Sequence, residues 1–87
     1  MENVKKLSRR EEREEVIQKL YEIDINQFED GLTSENEFID KSINGVLLNQ
    51  EKVDEIISAN LLKWKIGRLT YIDRAIIRFA TYELYYT

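Results

Sequence analysis

Eighty-seven residues, 43% hydrophobic and 34% charged, suffice for one domain near the lower limit of what folds unaided. With no cysteine and no histidine, disulfide and thiol redox chemistry, thiolate metal sites and histidine-based catalysis are excluded. A carboxylate-only site would need clustered acids facing a pocket, and the sequence offers none. The net charge of −4 is unevenly spread. Residues 1–19 sum to +1, residues 20–62 to −8 and residues 63–87 to +3, which rules out a uniformly basic nucleic-acid binder but not two mildly basic ends brought together. The opening MENVKKLSRREEREE has no apolar core of a signal peptide. Aliphatic runs such as Val46-Leu47-Leu48 fall far short of the roughly 20 residues of a membrane span, so a cytoplasmic location is expected.

The first helix is predicted to start at Ser8, which forms an S-x-x-E capping box with Glu11. Val16, Leu20 and Ile23 recur at helical spacing beyond it, flanked by Ile17 and Tyr21. The first two turns have nothing apolar to bury and are expected to project past the core. Residues 27–31 read as a helix end and loop, with Gly31 as the left-handed residue. A second capping box, Ser34 with Glu37, predicts the next helix, whose stripe is Phe38, Ile39, Ile43, Val46 and Leu47. Asn49 or Gln50 is expected to break it. Val53, Ile56, Ile57 and Leu61 mark a third helix running toward Trp64 and Leu69, weakened at Gly67. The last helix is predicted from about Tyr71, capped by Thr70. Every pattern has the helical period, so the fold class is all-α: about four to five helices in one domain, with residues 8–87 folded and residues 1–7 flexible.

Trp64, Ile66-Gly67-Arg68-Leu69, Ile72-Asp73-Arg74-Ala75-Ile76-Ile77-Arg78 and Ala80-Thr81-Tyr82-Glu83-Leu84 together resemble the signature of the NusB family. Arg9-Arg10, Arg13-Glu14 and Gln18-Lys19-Leu20-Tyr21 resemble the start of the same proteins. The resemblance covers about Ser8 to Tyr86. It implies an all-helical bundle fold and a non-enzymatic transcription antitermination factor, needing neither cofactor nor metal. The implied partners are boxA-type leader RNA, a small-subunit ribosomal protein (NusE) and the RNA polymerase antitermination complex. A related domain stands at the front of certain ribosomal RNA methyltransferases, but no catalytic domain accompanies it here. Family members continue past the tyrosine-rich helix with further helices, so this chain reads as a shortened member.

Two candidate surfaces follow. Lys5, Lys6, Arg9, Arg10 and Arg13 form the RNA-binding candidate, with Arg9 and Arg13 on one helix face and Glu11 and Glu12 interrupting the run. The bland alternative is a solvated helix end carrying an Arg10–Glu14 pair. Asp73 and Arg74, with Tyr21, form the protein-partner candidate, because the family resemblance puts an acid where the ribosomal protein docks. Asp73 also suits the positive end of a helix. Glu83 falls on the apolar side of the last helix, between Ile76 and Phe79, so a structural role is expected, satisfied by backbone donors or an arginine. The aromatic residues Trp64, Tyr71, Tyr82, Tyr85 and Tyr86 are read as core or interface rather than base-stacking platforms. Exposure of Ile76, Phe79, Leu84 and these tyrosines would favour a homodimer or higher oligomer.

Overall fold

The computed structural model describes residues 6–27, 34, 36–60 and 66–87. Lys5, Phe28, Gly31, Leu61 and Trp64 lie outside the described residues. Among the described residues there are four α-helices, one short 3-10 helix at Ile66–Arg68 and no strand: α1 (Arg9–Asn26), α2 (Glu37–Leu48), α3 (Gln50–Asn60) and α4 (Tyr71–Tyr86). The all-α expectation holds. Among the described residues no helix is long and apolar enough to cross a membrane.

Local chemistry sets most helix boundaries. The Ser8–Glu11 capping box is present in both directions: the Ser8 N–H donates to Glu11 Oε1 at 2.8 Å, and the Glu11 N–H donates to Ser8 Oγ at 3.1 Å. Helix α1 ends at Asn26, and the cap residue that follows, Gln27, takes the left-handed conformation at φ 60°. That backbone disfavours a residue with a Cβ by about 1 kcal/mol, and the Gln27 amide offsets part of it by donating to the Asp24 carbonyl at 2.9 Å. Asn26, Asn49 and Asn60 each donate a side-chain N–H to the carbonyl four residues back, at 2.7–2.8 Å, a second donor to the last turn of each helix; the Gly45 carbonyl also accepts from the Asn49 backbone N–H at 3.1 Å. Asn49 alone separates α2 from α3, as the sequence suggests.

The start of α2 differs from expectation. Asn36, not Ser34, is the N-cap, its Oδ1 accepting from the Ile39 N–H at 2.9 Å. Ser34 instead braces the turn from outside. Its N–H and hydroxyl both donate to Asp40 Oδ1, at 2.8 and 2.9 Å, and its Oγ accepts from the Asn36 N–H. Both residues have cap chemistry; Asn36 prevails because it directly precedes the first helical residue.

The core gathers Val16, Leu20 and Ile23 of α1, Ile39, Ile43 and Val46 of α2, Val53 and Ile57 of α3, and Ala75, Phe79 and Tyr82 of α4. Burying each Val, Ile, Leu or Phe side chain contributes about 1.5–3 kcal/mol. Of the α4 residues expected to stand bare, Ile76 and Leu84 do, at 44% and 76% exposed, whereas Phe79 and Tyr82 are seated in the core at only 2% and 6%. Apolar residues occur on several sides of α4, interleaved with Asp73, Arg74, Arg78 and Glu83, so the pattern alone leaves open which of them meet α1, α2 and α3. Gly45 lets α2 approach it, because a Cβ there would overlap the Tyr82 phenol ring.

Helices α1 and α4 run antiparallel, since Arg13 near the start of α1 pairs with Glu83 near the end of α4 while Asp24 near the end of α1 pairs with Arg74 near the start of α4. Arg74 Nε and Nη2 donate to the two Asp24 oxygens, both at 2.8 Å. Arg78 makes the same two-pronged contact with Asp54 of α3, also at 2.8 Å, and its Nη1 lies 3.5 Å from Asp24 Oδ2. These four side chains are half-buried or nearly buried, and they bind α1, α3 and α4 together.

Two stability predictions result. Asp24→Ala strands the Arg74 guanidinium in a partly dry site and is expected to cost about 3 kcal/mol by urea denaturation, more than Asp54→Ala, because Arg78 keeps Asp24. Gly45→Ala should destabilise by about 1–3 kcal/mol through overpacking, although helix propensity alone favours alanine by about 1 kcal/mol. Adding Tyr82→Phe should recover part of that loss.

Candidate nucleic-acid and partner interface

The capping box fixes where the basic tract points, because it sets the first helical residue at Arg9. Arg9 and Arg13, four residues apart, sit on the face that continues into Val16, Leu20 and Ile23. Each guanidinium lies over an aromatic ring of another helix. The Arg9 guanidinium carbon is 3.8 Å from the centroid of Phe38 on α2, and that of Arg13 is 5.7 Å from the centroid of Phe79 on α4. Such contacts hold a cation in place while leaving its donors accessible.

Every arginine of the tract also meets a carboxylate. Arg9 Nε is 3.0 Å from Glu12 Oε1, and the other Glu12 oxygen accepts from the side-chain N–H of Asn36 at 2.8 Å. The α2 cap residue therefore also anchors α1. Arg10 pairs with Glu14 at 3.5 Å, as the bland reading anticipates, with both side chains largely in water. Arg13 Nη2 donates to Glu83 Oε1 across seventy residues of sequence. That pair fits the expected arginine partner for Glu83, whose side chain is 21% exposed against 51% for Arg13. The acids that interrupt the run thus have internal tasks: Glu11 caps α1, while Glu12 and Glu14 pair with its arginines. Lys6 is exposed beside Leu7, Lys19 and Phe38 on an open cleft between α1 and the start of α2.

The partner candidates occupy the opposite end of the α1–α4 seam. Asp24 lies eleven helical steps beyond Arg13, about 16 Å along the α1 axis. Tyr21, one turn before Asp24, is half-buried against the core. Asp73 is exposed in the first turn of α4, and its N–H donates to the capping Thr70 Oγ1 at 3.1 Å. Arg74 is taken up by Asp24, with its guanidinium carbon 4.7 Å from the Tyr71 ring centroid. The seam thus carries the basic tract at one end and an exposed acid beside a tyrosine at the other.

Sequence reasoning missed the aromatic platforms Phe38 and Phe79, the bridging Asn36, and Asp24 and Asp54 as arginine partners. Only Asn36 carried a local signal, as a cap-type residue directly before a helix. Among the described residues no group of histidines, cysteines or carboxylates could hold a metal ion.

Comparison with known proteins identifies the family of the chain. The model of the NusB family matches residues 3–87. A transcription antitermination protein NusB from Bacillus licheniformis is 39% identical over 87 residues, covering 90% of this chain and 67% of the relative. Its counterpart from Bacillus subtilis is 38% identical over 88 residues, and one from Bacillus cereus 37% over 91. The chain thus spans about two thirds of the length of these relatives. No solved structure matches. With residues 3–87 inside the family match and identity near 38% over about 90% of its length, the chain belongs to the NusB family.

Proposed function

We propose that this chain is a non-enzymatic transcription antitermination factor that binds boxA-type RNA through the opening turns of α1. The observation that carries the reading is the pair of half-exposed guanidinium groups of Arg9 and Arg13, held over Phe38 and Phe79. Membership in the family, whose curated relatives are named as antitermination proteins, supports it. Arg10 and Lys6 extend the cationic surface, with Lys5 preceding them in sequence. Phosphates attracted there release counterions, so affinity falls steeply with salt. The small-subunit ribosomal protein docks at the other end of the seam, on Asp73 and Tyr21, with Arg74 fixing the start of α4 from beneath. The complex acts with RNA polymerase in the cytoplasm.

Exposed surface on α4 favours a further element of this proposal. Ile72, Ile76, Ala80 and Leu84 follow one another at steps of four and form an apolar ridge left open to water, with Tyr85 beside it. Apolar ridges of this kind drive association, and a second copy of the chain is the occupant proposed, giving a homodimer.

Fluorescence anisotropy with boxA-type RNA against a scrambled RNA, with and without the ribosomal protein, tests the main reading. Tighter binding to the boxA-type RNA is expected, strengthened by the ribosomal protein. Arg9→Glu and Arg10→Glu should each weaken it by about tenfold, or ~1.4 kcal/mol. Equal weak binding to both RNAs, insensitive to Arg9→Glu, would instead favour a protein-only interaction module. Light scattering at micromolar concentration should give a dimer mass, and Ile76→Glu should return it to the monomer; a monomeric wild type refutes self-association.

A further inference from the structure

Glu83 is an unusual residue where it stands. It lies in the last turn of α4, where the helix dipole disfavours a carboxylate, and it borders the buried face, next to Tyr82. Its side chain is 21% exposed, and its partner is Arg13. The carboxylates facing Arg9 and Arg10 differ from it in origin, although Glu12, 15% exposed and tied to Asn36 of the α2 cap, is itself held in place. Glu12 and Glu14 come from the same helix as their arginines, three and four residues away. Glu14 is 65% exposed and free to swing into water when a phosphate arrives. Glu83 belongs to another helix, seated on the core through Phe79 and Tyr82, and cannot follow Arg13 outward.

We infer that Glu83 is an intramolecular competitor for Arg13, a carboxylate that occupies the guanidinium in place of phosphate and thereby sets how selectively the basic tract takes RNA. This inference rests on the RNA-binding reading above. A carboxylate and a phosphate oxygen ask for the same donors on an arginine. An RNA that engages Arg13 must displace or share the Glu83 oxygen while bringing its own negative charge close to it. Poorly fitting polyanions gain too little elsewhere to do so. An RNA that also fits Arg9, Arg10 and Lys6 can. The cost falls on every RNA, but discrimination improves, because the generic electrostatic attraction common to all sequences is what Glu83 removes.

The test uses the 87-residue chain with boxA-type and scrambled single-stranded RNA, by anisotropy over a salt series. Glu83→Gln keeps the shape and removes the charge. It is expected to tighten binding of scrambled RNA by about threefold to tenfold and of boxA-type RNA by less. It should also steepen the log affinity against log salt plot by roughly 0.7, one further phosphate neutralised on a single strand. In an Arg13→Gln background Glu83→Gln should change nothing, which separates competition for Arg13 from a general change in net charge. Circular dichroism checks that each variant is helical. Where Glu83→Gln loses the fold, Glu83→Asp draws the carboxylate back by one methylene and should give an intermediate gain.

Unchanged or weaker RNA binding by a folded Glu83→Gln chain overturns the inference, as does an equal gain in the Arg13→Gln background. Loss of the fold in both variants overturns it too, since the pair is then structural alone. If the wild type binds neither RNA in a salt-dependent way and Arg9→Glu has no effect, the RNA-binding reading itself fails. The two failures are therefore distinguishable.

Discussion

The antiparallel seam between α1 and α4 is the contact on which everything else in this molecule rests. Val16, Leu20 and Ile23 face Ala75, Phe79 and Tyr82 within one core, and the burial of those side chains is its main source of stability. Ion pairs close it at both ends, Arg13 with Glu83 and Asp24 with Arg74. The apolar middle is non-directional and would tolerate small sliding of one helix along the other. The Asp24–Arg74 end does not, because a two-pronged guanidinium contact fixes direction as well as distance. Registry between the basic end and the acidic end of the proposed interaction surface follows from that contact.

Charge on this protein is arranged by cancellation as much as by attraction. A chain of net charge −4 that attracted RNA by bulk field alone would be a poor design. The described arginines of the tract are each neutralised locally, but by bonds of unequal firmness. Exposed pairs such as Arg10 with Glu14 contribute a kcal/mol or less, so a phosphate displaces them at little cost. The pairs at lower exposure, around Asp24 and Glu83, hold helices in place. The same interaction type thus serves two ends, and solvent exposure decides which.

How much of this was legible beforehand follows from the range of each interaction. Caps act across three residues, so Ser8 with Glu11 and the Thr70 start of α4 are visible in the sequence, as is the break at Asn49. Where two cap-type residues stand two apart, as Ser34 and Asn36 do, local pattern proposes both and the backbone path chooses one. Which apolar residues of α4 are buried was not legible for a physical reason: Ile72, Ile76, Phe79 and Tyr82 are all apolar, and only the position of α1 to α3 tells them apart. Glu83 was conspicuous as a carboxylate near an apolar face, which foretold a partner but not which arginine. The partners of Arg74 and Arg78 lie 50 and 24 residues away in sequence, and no periodicity reaches so far.

Seventy residues of chain separate Arg13 from Glu83. Contacts of such separation form late in folding, because the entropy of closing a long loop must be met before the contact returns anything. Helices α2 and α3, joined through a single residue, can pair while the chain is still short. Helix α1 is synthesised first but keeps its apolar face bare until α4 has emerged. The arginine tract therefore acquires its aromatic platform at Phe79 and its carboxylate at Glu83 only once α4 has been made. Until then the nascent chain carries its basic residues without their restraint, and order of manufacture becomes part of how this surface is controlled.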